Sequence, residues 1–365
     1  MRFYIYVIDY VNMSRTTIHD IAKELNTTAA TVSRALNDHP SISAATKQSV
    51  REAAQKLNYQ QNRVASSLRL GRTNVLGVVI PSADISFFGS VIHGIEKVAK
   101  AHGYNVILFQ TNEQYEDEVQ GIKTLLQSNV DGIIASISKE TTNYDHFREV
   151  KDRNIPLILF DRAIDSLGVS TVVIDDYKGA FMATEHLISQ DYTRIAHISG
   201  PPHIQIFHDR LRGYVDALAA HHIKVDEDLI TYGKVSIDSG RSCAEQLLQL
   251  PNRPDAIFAV EDFTALGALQ AIKESPWHRP GEIGLVGFAN EAFSAYITPS
   301  LTTIDQQTAH MGEEAAKIFM ELRQNTTVTE TAPQKVVLEP LLIARQSSTR
   351  PKPKKKSLKA STIVP

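Results

Sequence analysis

The sequence predicts an α/β protein with two doubly wound lobes, preceded by a small all-α head and followed by a basic tail. Three observations support this. Residues 14–60 carry three short helical patterns, residues 74 to about 346 alternate apolar runs with amphipathic helices, and residues 347–365 are rich in Pro, Lys and Ser without periodicity. Alternating strands and helices are typical of parallel sheets with crossover helices. A length of 365 residues also suits more than one domain.

The charge is unevenly distributed along the chain. The net charge is −3, yet residues 1–73 carry +5, residues 344–365 carry +7 and residues 74–343 carry −15. A basic head on an acidic body indicates a polyanion-binding module joined to a different domain. The single cysteine, Cys243, excludes an intrachain disulfide and fits a cytoplasmic protein. We expect it to be a small apolar filler, and we expect neither a metal nor a cofactor.

Residues 1–13 precede the first well-patterned helix. The apolar stretch Met1–Val11 contains an Asp and lacks a small-residue cleavage site, so a signal peptide is rejected. We expect residues 1–13 to be a disordered extension, of which residues 1–12 have no role in the fold.

The head, residues 14–60, shows three helices with clear caps. Thr17 begins the first, with Asp20 as its capping-box partner. Asn26 suits the left-handed turn that follows. Thr28 caps a second helix that ends at Leu36, and Ser43 caps a third helix at about 44–57.

Two short helices joined by a tight turn and supported by a third match a helix-turn-helix, whose second helix enters the DNA major groove. On its outward side Arg34 is suited to guanine and small side chains to the thymine methyl group. Other polar residues suit phosphate contacts. The candidate DNA-binding residues of the head are Thr17, Thr28, Ala29, Ala30, Thr31, Ser33, Arg34 and Asn37. A small helical bundle with a solvated basic face is the alternative.

The body, residues 74–346, contains eight apolar strand-like runs. They are Val75–Ile80, Val106–Phe109, Gly132–Ala135, Leu157–Phe160, Val172–Ile174, Ile195–Ile198, Ala256–Val260 and Ile283–Phe288. Eight runs over about 270 residues suit two parallel-sheet lobes.

Several ordered motifs resemble the LacI/GalR family of bacterial transcription regulators. In the head they are Thr17–Lys23 and Thr31–Asn37; in the linker, Asn62–Leu68 and Gly71-Arg72-Thr73; in the body, Gly200-Pro201, Arg210 with Gly213-Tyr214, Asp262 with Ala265-Leu266-Gly267, and Gly287-Phe288 with Pro299–Ile304. The resemblance covers residues 14 to about 346. Asn26 stands where the family usually has Gly, and both residues tolerate a positive φ.

The resemblance implies that residues 61–73 form a hinge helix on specific DNA. Leu68 matches the leucine that relatives wedge between central base pairs, which kinks the duplex. Asn62 and Ala65 would line the same groove. From the residues alone a flexible connector is favoured, because so short a helix is marginal in water.

The resemblance also implies a periplasmic-binding-protein-like effector domain. Lobe 1 would comprise about 74–174 and 305–333, and lobe 2 about 175–304 and 334–346, followed by a basic disordered tail at 347–365. The candidate effector-binding residues are Phe87, Phe88, Asp161, Arg162, Arg210, Glu261 and Asn290. Ala289 replaces an Asp that is frequent in relatives, and Asn290 is the expected substitute. The alternatives are core packing for the two Phe, a surface ion pair for Asp161 and Arg162, and a helix-surface position for Arg210.

The resemblance therefore implies a cytoplasmic, ligand-responsive transcription regulator, a homodimer that binds a near-palindromic operator and responds to a sugar or related metabolite. A repressor is expected. The alternatives are a sugar-binding receptor module without gene regulation, and a sugar-modifying enzyme with an accessory head. Neither a phosphate-binding loop nor a nucleophile elbow is present in the sequence, so an enzyme is not expected.

Overall fold

A computed structural model describes residues 16–59, 72–277, 279, 281–324 and 332–350. The chain divides into two compact units, residues 1–73 and 74–365. The extension at 1–13, nearly all of the hinge segment and the tail from residue 351 lie outside the described residues.

The head contains three helices, as its capping residues predict. They are α1 (Ile18–Glu24), α2 (Ala29–Leu36) and α3 (Ala44–Lys56). Ile21, Val32 and Val50 are fully buried, one from each helix, and form the centre of the head core. Asn26, in the turn between α1 and α2, has a φ of 47°, the left-handed conformation expected there.

Lobe 1 is a six-stranded parallel sheet with helices packed on both faces. Its elements are β1 (Val75–Ile80), α4 (Ser86–Ala101), β2 (Asn105–Gln110), α5 (Tyr115–Gln127), β3 (Gly132–Ala135), α6 (Asp145–Asp152), β4 (Leu157–Phe160), β5 (Ser170–Ile174), α11 (Thr308–Gln324) and β11 (Lys335–Leu338). The strands lie in the order β11-β5-β4-β3-β1-β2. Its inner strands β1, β3, β4 and β5 are almost fully buried, because both faces of a parallel sheet are covered.

Lobe 2 is a four-stranded parallel sheet. Its elements are α7 (Asp176–Ser189), β6 (Ile195–Ser199), α8 (Gln205–Ala220), β7 (Ile230–Tyr232), α9 (Ile237–Leu248), β8 (Ala256–Ala259), α10 (Asp262–Glu274) and β9 (Gly284–Val286). The strands lie in the order β7-β6-β8-β9. A separate antiparallel pair joins β10 (Thr303–Asp305) to β12 (Leu341–Ile343). Cys243 is buried in the core of this lobe, as expected. The two parallel sheets confirm the predicted fold class.

Two boundaries drawn from the sequence are wrong. Strand β11 was assigned to lobe 2 with 334–346, but it pairs in parallel with β5 and completes the sheet of lobe 1. The tail was expected to begin at residue 347, but Ser347 and Ser348 are buried. The Ser347 hydroxyl donates to the Leu285 carbonyl over 2.6 Å, which ties this segment to β9.

Close helix packing in lobe 1 depends on glycine. A Cβ added to Gly94 of α4 would lie 2.1 Å from the Ala309 carbonyl oxygen of α11. The two helices therefore approach at a distance that a larger residue does not permit. Within the described ranges, no helix is both long enough and apolar enough to cross a bilayer.

Candidate functional site

The second helix of the head presents a polar, exposed face. Thr28 is its N-cap, and the Thr28 hydroxyl accepts a hydrogen bond from the Thr31 N–H over 3.1 Å. Thr28, Ala30, Arg34 and Asn37 are exposed. Ala29, expected to face outward, is half-buried and packs against the head core, because the buried stripe of α2 extends to its first turn.

Arg34 differs from three other cations of the head, which form ion pairs. Lys47 and Arg51 pair with Asp38, and Lys56 pairs with Glu24. Arg34 is exposed and has no ion-pair partner among the described residues. Its guanidinium is thus available to a ligand without the breaking of an internal pair.

The smaller polar candidates are partly engaged within the head. The Thr17 hydroxyl donates to Asp20 over 2.8 Å, and the Asn37 amide donates to the Ser33 carbonyl over 2.7 Å. Thr31 and Ser33 are half-buried. A DNA phosphate would have to replace the internal partners of these hydrogen bonds. Arg34 and the exposed start of α2 are therefore the stronger candidates for DNA contact. Asn62, Ala65 and Leu68 lie outside the described residues.

A cavity of about 510 Å³ lies between the two lobes of the body. We call it the cleft. Six of the seven candidate effector residues line it: Phe87, Phe88, Asp161, Arg162, Arg210 and Glu261. They come from strand ends and helix starts of both lobes, which is where ligands bind in doubly wound folds. Phe87 and Phe88 also belong to the core of lobe 1, so the core alternative holds beside the cleft position.

Asn290 is the one candidate effector residue that is not in the cleft lining. Its amide donates to the Asp305 carboxylate over 2.8 Å and accepts from Arg345 over 2.7 Å. Ala289 and Asn290 both have positive φ values, 137° and 53°. This turn places Ala289 and Glu291, rather than Asn290, at the cleft wall.

On the lobe 1 side, Arg162 is held by a neighbouring carboxylate. Its guanidinium donates to both oxygens of Glu113 over 2.7 and 3.0 Å, and to the Ile137 carbonyl over 3.0 Å. Burial opposes the charge of Glu113, but Arg162 and Lys139 keep its pKa below the usual value. Burial raises the pKa of Asp161, although Arg162 and Arg210 act against it.

On the lobe 2 side, Arg210 is almost completely buried. It donates to Asp176 over 2.7 Å and to the Val260 carbonyl over 2.6 Å. Its guanidinium carbon lies 3.7 Å from the centre of the Phe288 ring. This corrects the helix-surface alternative: Arg210 is a fixed part of the cleft wall.

Three acidic residues meet at the ends of β8 and β9. Glu261 caps α10 by accepting from the Phe263 N–H over 2.9 Å, and burial together with Asp262 raises its pKa to about 8. Asp262 accepts from the Thr303 hydroxyl over 2.7 Å and from the Glu291 N–H over 2.8 Å. Burial raises its pKa to about 7. Asp262 therefore orders the loop that carries Glu291.

Two buried polar residues of the cleft were not identified from the sequence. Glu291 is 3 % exposed and accepts hydrogen bonds from the Ser86 hydroxyl and the Phe87 N–H of lobe 1. Gln306 is 4 % exposed, and its Oε1 atom has no hydrogen-bond partner among the described residues. Neither lies in a motif, so only the packing of the two lobes reveals them.

Both parts of the chain match family models. Residues 17–62 match bacterial regulatory proteins of the lacI family, and residues 73–338 match the periplasmic binding proteins and sugar-binding domain of the LacI family.

The chain belongs to the LacI family.

Relatives within the family match the chain over most of its length. The HTH-type transcriptional repressor PurR of Vibrio atlanticus is 31% identical over 84% of this chain and 91% of its own length. Catabolite control protein A of Priestia megaterium is 30% identical over 87% of this chain and 96% of its own. The named relatives of this LacI-family chain are regulators, which agrees with the absence of an enzyme motif.

Solved structures of the family share both the head and the body. The lac repressor dimer bound to operator and the anti-inducer ONPF has a TM-score of 0.82 and 25% identity, over 92% of this chain and all of that one. The transcriptional regulator CelR in complex with cellobiose has a TM-score of 0.69 and 27% identity, over 91% of this chain and all of that one.

Proposed function

We propose that the chain is a ligand-responsive transcription regulator that reads operator DNA with α2 and binds a sugar or related metabolite in the cleft. The observation that carries this is the exposed, unpaired Arg34 on the reading helix of a chain that also holds a two-lobed cleft. Arginine without an internal partner can bond the O6 and N7 atoms of guanine at low cost. The relatives named as repressors support repression as the direction of control.

The assembly we propose is a homodimer in the cytoplasm. Each head reads one half-site, so a two-fold dimer requires a near-palindromic operator. The similar lac repressor structure is a dimer on its operator, which supports this assembly. Bacterial DNA is in the cytoplasm, so the proposed function requires that location.

The candidate linker residues complete the proposal. Asn62, Ala65 and Leu68 would contact the minor groove between the half-sites, with Leu68 as the wedge. Ligand binding would bias lobe closure and the order of this segment, which couples the two sites through a two-state element.

Selection from a pool of random duplexes at low salt tests the function. The wild type should enrich a near-palindromic sequence, and Arg34→Ala should lower affinity for it by about 5- to 150-fold, the 1–3 kcal/mol of one bidentate base contact. Arg51→Ala is the matched control, because Arg51, on α3, is an exposed arginine that pairs with Asp38. Equal loss in both variants, or no enrichment by the wild type, would refute the assignment.

A further inference from the structure

The N-terminal turn of α4, at the cleft, is capped by a residue of the other lobe. Ile85 occupies the N-cap position and provides no side-chain acceptor. Instead the Ser86 hydroxyl and the Phe87 N–H donate to the two carboxylate oxygens of Glu291, the latter over 3.2 Å. The free N–H groups at a helix start attract negative charge. Glu291 therefore fills a position that would otherwise favour an anion.

Glu291 is held there by lobe 2. It follows β9, and its own N–H donates to Asp262 over 2.8 Å. Glu291 also lines the cleft and is 3 % exposed. Its carboxylate is thus a fixed part of the cleft wall, unlike that of a mobile side chain on the protein surface.

Each cation among the described lining residues has a carboxylate partner. Among the described lining residues, Arg162 and Lys139 pair with Glu113, and Arg210 pairs with Asp176. Besides Glu291, the lining contains the acidic residues Asp84 and Asp238. A phosphate or carboxylate on a ligand would meet this acidic surface without an unpaired cation.

The remaining features of the cleft call for donors and apolar surface. Gln306 is buried and its Oε1 acceptor has no partner, so a ligand N–H or O–H would satisfy it. Phe87, Phe207 and Phe263 contribute aromatic surface to the lining. A ligand with hydroxyl or amino donors on one side and an apolar ring face on the other fits both features.

We propose that Glu291 occupies the anion position of the cleft and determines its charge specificity. The cleft accepts uncharged or cationic ligands that donate hydrogen bonds, and it rejects phosphorylated and carboxylate ligands. As a statement about the effector, this rests on the proposed function.

Anion rescue of the full-length chain tests the proposal without knowledge of the effector. In Glu291→Ala the vacated position should bind added acetate or inorganic phosphate, so millimolar anion should raise the melting temperature by roughly 2–4 °C, the effect of about 1 kcal/mol of binding. The wild type should show no such rise. An equal rise in the wild type, or no rise in Glu291→Ala, would overturn the proposal.

Three variants keep the test sharp. Glu291→Gln still fills the position and should not respond to anions; a response equal to that of Glu291→Ala would show a general charge effect and overturn the proposal. Glu149→Ala removes a half-buried carboxylate from α6, outside the cleft lining, and should behave as the wild type. If Glu291→Ala does not fold, Glu291→Ser provides the same vacated space with a polar cap for the short 3-10 turn that follows.

Matched ligands test the effector class. In the wild type, ribose 5-phosphate should not raise the melting temperature, whereas Glu291→Ala should gain affinity for it relative to ribose. A phosphorylated sugar that stabilises the wild type more than its parent sugar would contradict the proposal. If the operator selection fails but the anion titration gives the expected result, the proposed function is refuted and the role of Glu291 is not. Failure of the proposed function can therefore be distinguished from failure of the proposal for Glu291.

Discussion

Replacement of Arg210 by Met should destabilise the body strongly, because it leaves Asp176 buried without its partner. Asp176 is 7 % exposed and Arg210 is 2 % exposed. Breaking a buried ion pair from one side costs about 3–5 kcal/mol. At roughly 2–4 °C for each kcal/mol, the melting temperature should fall by about 6–20 °C. The loss of the bond to Val260 and of the Phe288 stack acts in the same direction.

The double variant Arg210→Met with Asp176→Leu should recover most of this loss. Burial raises the pKa of Asp176 to about 7 even with Arg210 beside it, so desolvation of the carboxylate outweighs the attraction of the pair. Removing both charges removes that penalty. Urea unfolding of the wild type, both single variants and the double variant gives the coupling energy. Additive single-variant effects would refute the argument that the two side chains act as one unit.

Three further predictions concern stability. Glu261 titrates near pH 8 in the folded state but near 4.5 when unfolded, so the folded chain holds this proton more tightly. The contribution of Glu261 to stability should therefore be largest below about pH 4.5 and fall as the pH rises from about 4.5 to 8, at up to about 1.4 kcal/mol per pH unit. Glu261→Gln should flatten that slope in urea unfolding, and an unchanged slope would contradict the burial argument. Gly94→Ala should cost about 1–3 kcal/mol, since its Cβ meets the Ala309 carbonyl oxygen at 2.1 Å, whereas Gly89→Ala, with open space on the same helix, should be neutral or stabilising in thermal unfolding. Equal melting temperatures for the two glycine variants would argue against close packing of α4 on α11. Deletion of residues 1–12 should change neither the melting temperature nor operator affinity, and a loss of either would show that the extension has a role.

The head was predicted almost to the residue because its signals are local. Each helix of the head is preceded by a capping residue that forms hydrogen bonds within the first helical turn. These capping residues are Thr17, Thr28 and Ser43. The structure begins each helix directly after these residues. Capping is a property of four neighbouring residues, so the sequence contains all the information needed.

The lobes were predicted less completely because strand pairing is not local. The eight apolar runs correspond to strands, but β7 and β10–β12 were missed. They are three or four residues long, and nearly all residues of β7, β11 and β12 are half-buried or exposed. Nothing within Lys335–Leu338 indicates that its partner is β5, some 160 residues earlier. Long-range pairing of this kind places the strand in lobe 1.

The residues of the cleft show the same difference between local signals and long-range contacts. Arg210 lies in a family motif and Glu261 directly precedes one, and both line the cleft. Glu291 was missed because its bonding partner, Ser86, lies 205 residues earlier in the other lobe. Ala289 and Glu291 line the cavity while Asn290 does not, because the backbone has two positive φ values at this point. Side-chain direction at such a turn follows from tertiary structure.

We expect ligand binding in the cleft to change the affinity of the head for DNA. The most direct measurement is the affinity of the full-length wild type for its selected operator, with and without a saturating small molecule that raises its melting temperature. Coupling between the sites predicts a change of at least about 5-fold in either direction. Identical operator affinity with the cleft empty and saturated would contradict the account.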